Sequence, residues 1–270
     1  MVLRRREGAR DADRGDRLRR IVLLGDDKQL PPVVQNLALQ QHSHLDQSLF
    51  VRLLRLGVPP VILDCQGRAR PAIADLYRWR YPGLPPSANR AYALGNAGLC
   101  FEAQFVDVAE GEESAPMPHF WQNLEEAEMV CAMYQYLRLL GHPKTSIVIL
   151  TTYNGQKALL REVVEKRCAR HPLLGEPAAI ETVDRFQGNQ ADIVLLSLVR
   201  SRNVGHIRDP RRLTVALSRA RLGLYVFGRR SLFEPVAELA PSFSQLLRRP
   251  DKLCLVPGER YPCTRPSVEL

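Results

Sequence analysis

Apolar residues fall in two kinds of pattern along this chain: short unbroken runs, and longer stretches with helical spacing. Ile21-Val22-Leu23-Leu24 runs into Gly25-Asp26 and reads as a buried strand entering a loop. Leu45, Leu49, Leu53 and Leu56 recur at helical spacing with Asp46 in the first turn, which predicts a helix over 45–56 ended by Gly57 and the nearby Pro59. A second strand is expected at Val61–Leu63, then a loop over 64–70 and a helix from Pro71 to about Trp79. Residues 81–100 are rich in Pro, Gly and Asn and read as loop, Ala103–Val108 as a strand, and 109–120 as a loose acidic segment. Leu124, Ala127, Cys131, Tyr134 and Leu137 mark the clearest helix, over 124–140, with Gly141 at its end.

Beyond Gly141 runs and helical stretches alternate regularly. Strands are expected at 146–151, 179–183, 193–198 and 222–227, with helices over 155–168 and 211–219. Unbroken apolar strands separated by amphipathic helices predict an α/β fold: a mostly parallel sheet covered by helices on both faces. In such sheets chemistry gathers in loops beyond the strand C-termini, where the polar segments of this chain are expected. Residues 1–20 alternate charge without hydrophobic rhythm and read as solvated loop, while 241–270 lose periodicity and read as a tail, packed on the surface or disordered.

Composition narrows the function only slightly. With 270 residues there is enough chain for one or two domains with sizeable cores. The formal charge of +9 comes mostly from Arg and is compatible with a nucleic-acid partner, a membrane surface or no partner. The six cysteines, Cys65, Cys100, Cys131, Cys168, Cys254 and Cys263, form no CxxC and no compact Cys/His cluster, which argues against zinc and for a reducing compartment. The first twenty residues lack the apolar core of a secretory signal, and no apolar run reaches the roughly eighteen residues of a membrane span.

Five polar segments carry the candidate chemistry, and each has two readings. Gly25–Pro32 puts Gln29 where it would bridge a phosphate and a water, or it is a Pro-rich turn. Gln66–Pro71 places Arg68 and Arg70 before a helix to meet a phosphate, or it is a solvated basic turn. Thr151–Lys157 joins hydroxyls, an aromatic and a helix N-terminus into an anion corner or base stack, or Thr152 or Asn154 merely caps the helix. Glu181–Gln190 offers Asp184, Gln187, Gly188 and Gln190 to nucleotide and nucleic acid, or it is a polar connection. Leu213–Arg221 is a helix that buries Leu213, Val215, Ala216 and Leu217 and projects Arg219 toward a transferred phosphoryl group, or Arg219 is a surface residue at a helix C-terminus.

Taken in order, GDxxQLPP, QGRARP, TTYNGQ, TVDRFQGxQxD and VALSRAR resemble the later motifs of superfamily 1 helicases in the Upf1-like branch, over about residues 18–235. The stretches QNLALQ, LYRWRY and RSRNVGHIRDPRRL are similar to those of spliceosomal, intron-binding RNA helicases within it. The resemblance implies a RecA-like P-loop NTPase helicase fold, with ATP and Mg²⁺ held between two such domains and use of ATP hydrolysis to bind or remodel RNA in pre-mRNA splicing. It implies intron RNA and spliceosomal proteins as partners and a nuclear location. It divides the chain into a remnant of a first domain (1–57), a second RecA-like domain (58–240) and a tail (241–270). Among site residues, it makes Gln29 a γ-phosphate and water sensor and Arg68 and Arg219 arginine fingers. Gly25, Asp26, Gln187, Gly188 and Gln190 would serve the nucleotide. Thr151, Thr152, Asn154, Asp184 and Gln187 would serve RNA. Gly67 stands where many relatives stack an aromatic on adenine, Gln190 where Glu is frequent and Asp27 where His is common.

Two motifs of that family are not in the sequence. No GxxxxGK[ST] occurs, and no Asp-Glu pair follows an apolar run before Ile21. Both ATP and Mg²⁺ need these parts, so the expectation is a fragment of a motor that does not turn over ATP alone, or a shortened paralogue. A non-catalytic RNA-binding or scaffold module and a related DNA helicase fragment are the competing readings.

Overall fold

The computed structural model describes residues 20–85 and 92–267. The expectation for residues 1–19 lies outside the described residues. Two compact units divide the chain: 1–27 with 31–60, and 28–30 with 61–270.

The smaller unit carries α1 (Leu37–Ser43) and α2 (Leu49–Arg55). Asn36 caps α1 by accepting from the Leu39 amide at 3.1 Å, and Ser48 caps α2 by accepting from Val51 at 3.2 Å. The helix expected over 45–56 therefore starts later: residues 45–47 are turn, and the Ser48 cap sets the first helical residue. Residues 21–24 are extended without pairing, with Val22 82% and Leu24 92% exposed. The strand expected there does not form, because a strand exists by its ladder and no described segment pairs with this one.

In the larger unit, α3 (Pro71–Arg78) opens on Pro71 and is followed by β1 (Ala103–Asp107). A two-stranded antiparallel ladder joins β2 (Glu113–Ser114) to β3 (Gln122–Asn123) inside the segment expected to be loose. Next come α4 (Leu124–Leu139), β4 (Ile147–Thr151) and α5 (Asn154–Val164), which continues as a π-helical turn over Glu165–Ala169. The remaining elements are β5 (Ala179–Thr182), β6 (Ala191–Ser197), α6 (Pro210–Leu217), β7 (Ala220–Gly228), α7 (Arg230–Phe233) and α8 (Ala240–Leu246). The segment 61–63, expected as a strand, is also unpaired and exposed.

The five strands form one all-parallel sheet in the order β1-β7-β6-β4-β5. Side chains alternate between its faces. Val148, Leu150, Val194, Leu196, Leu224 and Val226 join one core with α3, α6 and α8. Ile147, Ile149, Ile193, Leu195, Tyr225 and Phe227 join the other with α4 and α5. This is the parallel sheet covered on both faces expected of a RecA-like helicase fold. Helix α8 was not legible as an element, yet it buries Phe243 and Leu246 in the first core. No described helix is long and apolar enough to cross a membrane.

Candidate functional site at the two edges of the sheet

At the N-terminal edge of the sheet, the residues just ahead of β6 and β7 meet the QGRARP turn. Arg68 donates from Nε to Gln190 Oε1 at 2.9 Å and from Nη1 to the Ser218 carbonyl at 3.0 Å. Gln66 shapes the turn from within: its side chain accepts from the Ala69 amide at 2.9 Å and donates to the Ala69 carbonyl at 2.6 Å. Arg219 donates to the carbonyls of Val215 (2.9 Å) and Asn189 (3.2 Å), to Ser218 Oγ (2.8 Å) and, at 3.5 Å, to Gln29 Oε1. The edge thus brings together Gln29, Arg68, Gln190 and Arg219. Tyr77 lies beside them; burial pushes its phenol up to about 12 against the opposing charges of Arg68 and Arg219.

Three expectations change here. Chemistry was expected beyond the strand C-termini, but this cluster precedes the strand N-termini. Arg219 neither projects nor lies on the surface; it is 1% exposed, because the last turn of α6 and the Asn189 carbonyl absorb its donors. Arg70 is not aimed with Arg68: it is buried, turned to Glu102 at 3.7 Å and bonded to the Leu94 carbonyl.

The C-terminal edge holds the second group. Thr151 ends β4, and the hydroxyls of Thr151 and Thr152 are buried without hydrogen-bond partners. Helix α5 starts at Asn154 with Tyr153 at its N-cap and no side-chain cap, so neither Thr152 nor Asn154 caps it. Tyr153 is 4% exposed: its hydroxyl accepts from the His206 amide at 3.1 Å, and its ring lies 4.8 Å from that of His206. A buried ring cannot stack on a base, so that reading fails. Gly155 lets the helix start pass beneath the chain, since a Cβ there would sit 2.5 Å from the Trp121 carbonyl oxygen. Asp184 is bound by Arg212 through two bonds of 2.9 and 3.2 Å.

The segment 183–190 runs from the end of β5 to the start of β6 and so joins the two edges. Arg212 of α6 meets Asp184 at one end, and Arg68 meets Gln190 at the other. Gln187 and Gly188 are exposed between them, and Gly188 takes φ +88°, a conformation that excludes most side chains. Gly25 and Asp26 belong to the smaller unit, where a Cβ on Gly25 would meet the Phe50 ring at 3.0 Å.

The model of a family described as an AAA domain matches residues 45–231. The chain belongs to this AAA domain family. It is 51% identical to the RNA helicase aquarius of Mus musculus over 94% of this chain and 18% of that protein. It is 34% identical to the pre-mRNA-splicing factor cwf11 of Schizosaccharomyces pombe, over 80% of this chain and 17% of that one. A regulator of nonsense transcripts 1 homolog of Arabidopsis thaliana is 30% identical over 78% of this chain and 18% of the relative. The chain spans about a fifth of the length of these relatives.

The matched AAA domain takes in the Arg68, Gln190 and Arg219 cluster and the C-terminal edge. It also contains residues that the sequence patterns did not flag. Glu126, in the first turn of α4, is buried and accepts from Ser197 Oγ at 2.5 Å and the Val199 amide at 2.8 Å. Burial pushes its carboxyl up to about 7, against those hydrogen bonds. Glu113 holds Arg200 bidentately at 2.7 and 3.2 Å, and the Arg200 guanidinium lies 4.0 Å from the Trp121 ring centroid. Burial acts to raise Glu113, yet the Arg200 hydrogen bond and the Ser201 amide hold it below the usual range. Among the described residues no group of His, Cys, Asp and Glu could hold a metal.

Proposed function

We propose that this chain completes the nucleotide site and part of the RNA track of an ATP-driven RNA helicase acting in pre-mRNA splicing, in the nucleus and with spliceosomal proteins. One observation carries the reading: Gln29, Arg68, Gln190 and Arg219, taken from four separate segments, converge at one edge of the AAA domain. The names of the relatives, an RNA helicase and a splicing factor, support the substrate class. In this reading Arg68 and Arg219 neutralise charge on the terminal phosphate, Gln29 orients water, and Gly25, Asp26, Gln187, Gly188 and Gln190 frame the nucleotide. Thr151, Thr152, Asn154, Asp184 and Gln187 serve the RNA backbone, which positions the strand without reading its sequence.

The donors present suit the phosphates of ATP, while the acidic pair for Mg²⁺ and a phosphate loop are not in the sequence. ATP, when bound, supplies the phosphoanhydride; the chain's contribution is to orient donors. Arg219 must exchange some of its bonds to reach it, because it is buried with its donors taken up.

The purified chain is expected to bind single-stranded RNA and to show no ATP turnover. Stoichiometric ATP hydrolysis that Arg219→Ala abolishes would refute the expected lack of turnover by the chain alone, and no affinity for oligouridylate by fluorescence anisotropy would refute the RNA-binding reading.

A further inference from the structure

Beyond β1, β6 and β7 the loops of the C-terminal edge close around two adjacent carboxylates that behave differently. Glu113 is built in: its side chain is 3% exposed, and besides Arg200 it accepts from the amides of Ser201 at 2.7 Å and Arg202 at 3.4 Å. Glu112 has a side chain 57% exposed; Arg229 Nη2 donates to it at 2.9 Å and the Ser201 hydroxyl at 3.5 Å, while Arg202 Nη2 pairs with it electrostatically at 3.6 Å. The hydrogen bond from Arg229 holds the Glu112 carboxyl below the usual carboxylate range.

Arg229 is the rigid member of this set. Its side chain is 20% exposed, and the carbonyls of Gly111 (2.8 Å) and Ser201 (3.4 Å) orient it. A fixed guanidinium, a second exposed one and a hydroxyl therefore converge on one exposed anionic group. Such a set suits the paired oxygens of a phosphodiester as well as a carboxylate. It stands at the strand ends where ligands of parallel sheets bind.

We propose that Glu112 fills, from within the chain, an anion seat made by Arg229, Arg202 and Ser201 that a backbone phosphate of single-stranded nucleic acid takes over on binding. The inference rests on the RNA-binding reading above and names a contact outside the residues assigned there. Displacement costs little, because an exposed ion pair in water is a weak bond. The neighbouring Glu113 keeps the loop in place when Glu112 lets go. Glu112 is then a competitor that lowers affinity.

The test is affinity for fluorescein-labelled oligouridylate across a salt titration, with inorganic phosphate as competitor. Glu112→Gln is expected to bind about threefold to fivefold more tightly, with a steeper salt dependence. Glu110→Gln removes the same charge from an exposed neighbour and is expected to change affinity less. Arg202→Gln should cost more in the Glu112→Gln background than in the wild type, since there no Arg202–Glu112 pair in the free state offsets the lost phosphate contact. Inorganic phosphate should compete weakly, as one anion lacks the rest of the strand.

Unchanged or weaker binding by Glu112→Gln, or an equal gain from Glu110→Gln, would overturn the proposal while leaving RNA binding intact. Competition by inorganic phosphate as strong as by unlabelled oligouridylate would make the seat one for free phosphate and overturn it too. Loss of all oligouridylate binding in the wild type would remove the RNA-binding reading itself.

Discussion

Single residues carry two loads in this protein. Arg219 is proposed to meet phosphate, and its guanidinium also satisfies the carbonyls of Val215 and Asn189. Arg219→Ala is expected to leave those acceptors unpaired in a small cavity and to cost about 3 kcal/mol of stability. Thermal unfolding checks this, and any activity loss in that variant needs the control. Glu126 makes a second residue-scale prediction. Its folded-state carboxyl is raised from 4.5 to about 7, so between those values the folded protein holds a proton that the unfolded chain has released. The stability contributed by the protonated form is full below about 4.5 and is lost as pH rises through about 7. Unfolding free energies of the wild type minus Glu126→Gln should therefore fall by about 3 kcal/mol across that window. A difference that is flat or rises with pH would remove the assigned cause.

At the scale of elements, what was legible in the sequence depended on what each element needs from elsewhere. Strands β4, β6 and β7 are buried on both faces, so unbroken apolar runs announce them. The runs at 21–24 and 61–63 look the same in sequence, but a ladder partner is not written in a run. Val61, Ile62 and Leu63 are 96%, 78% and 87% exposed. Such an apolar, extended segment is a site for pairing with other chains. Ile62→Lys is expected to reduce concentration-dependent self-association of the isolated chain, read by light scattering. The five polar loops were legible in their order, while Arg219's burial was not, since it depends on carbonyls of α6 and of the distant 183–190 segment. Glu113 was hidden within an acidic stretch because its partner Arg200 is 87 residues away. Helix α5 gives the sharpest packing test at this scale. A methyl at Gly155 meets the Trp121 carbonyl oxygen at 2.5 Å and the Phe120 carbonyl carbon at 2.8 Å, both backbone atoms. Gly155→Ala should cost about 1–3 kcal/mol by denaturant unfolding.

For the whole molecule, the 38 Lys and Arg overstate the cations free to meet a polyanion. Arg208 is paired with Glu238, Arg211 with Asp209, Arg212 with Asp184, and Arg229 and Arg202 share Glu112. Each such pair must break before its arginine takes a phosphate, and the released carboxylate then repels the strand. Salt dependence reports the number of phosphates neutralised, with a slope near 0.7 for each contact on a single strand. If net charge governed binding, the logarithm of affinity would fall with the logarithm of salt at a slope of about 6. With most of these arginines already paired, a slope of about 2–3 is expected for oligouridylate, set by the few cations that exchange partners. Neutralising a single carboxylate such as Glu112 should steepen it by about one contact's worth, whereas a bulk-charge mechanism would give the same small change for any acidic residue on the surface. The slope therefore separates a chain whose affinity is set by particular ion pairs from one that binds through its overall positive charge.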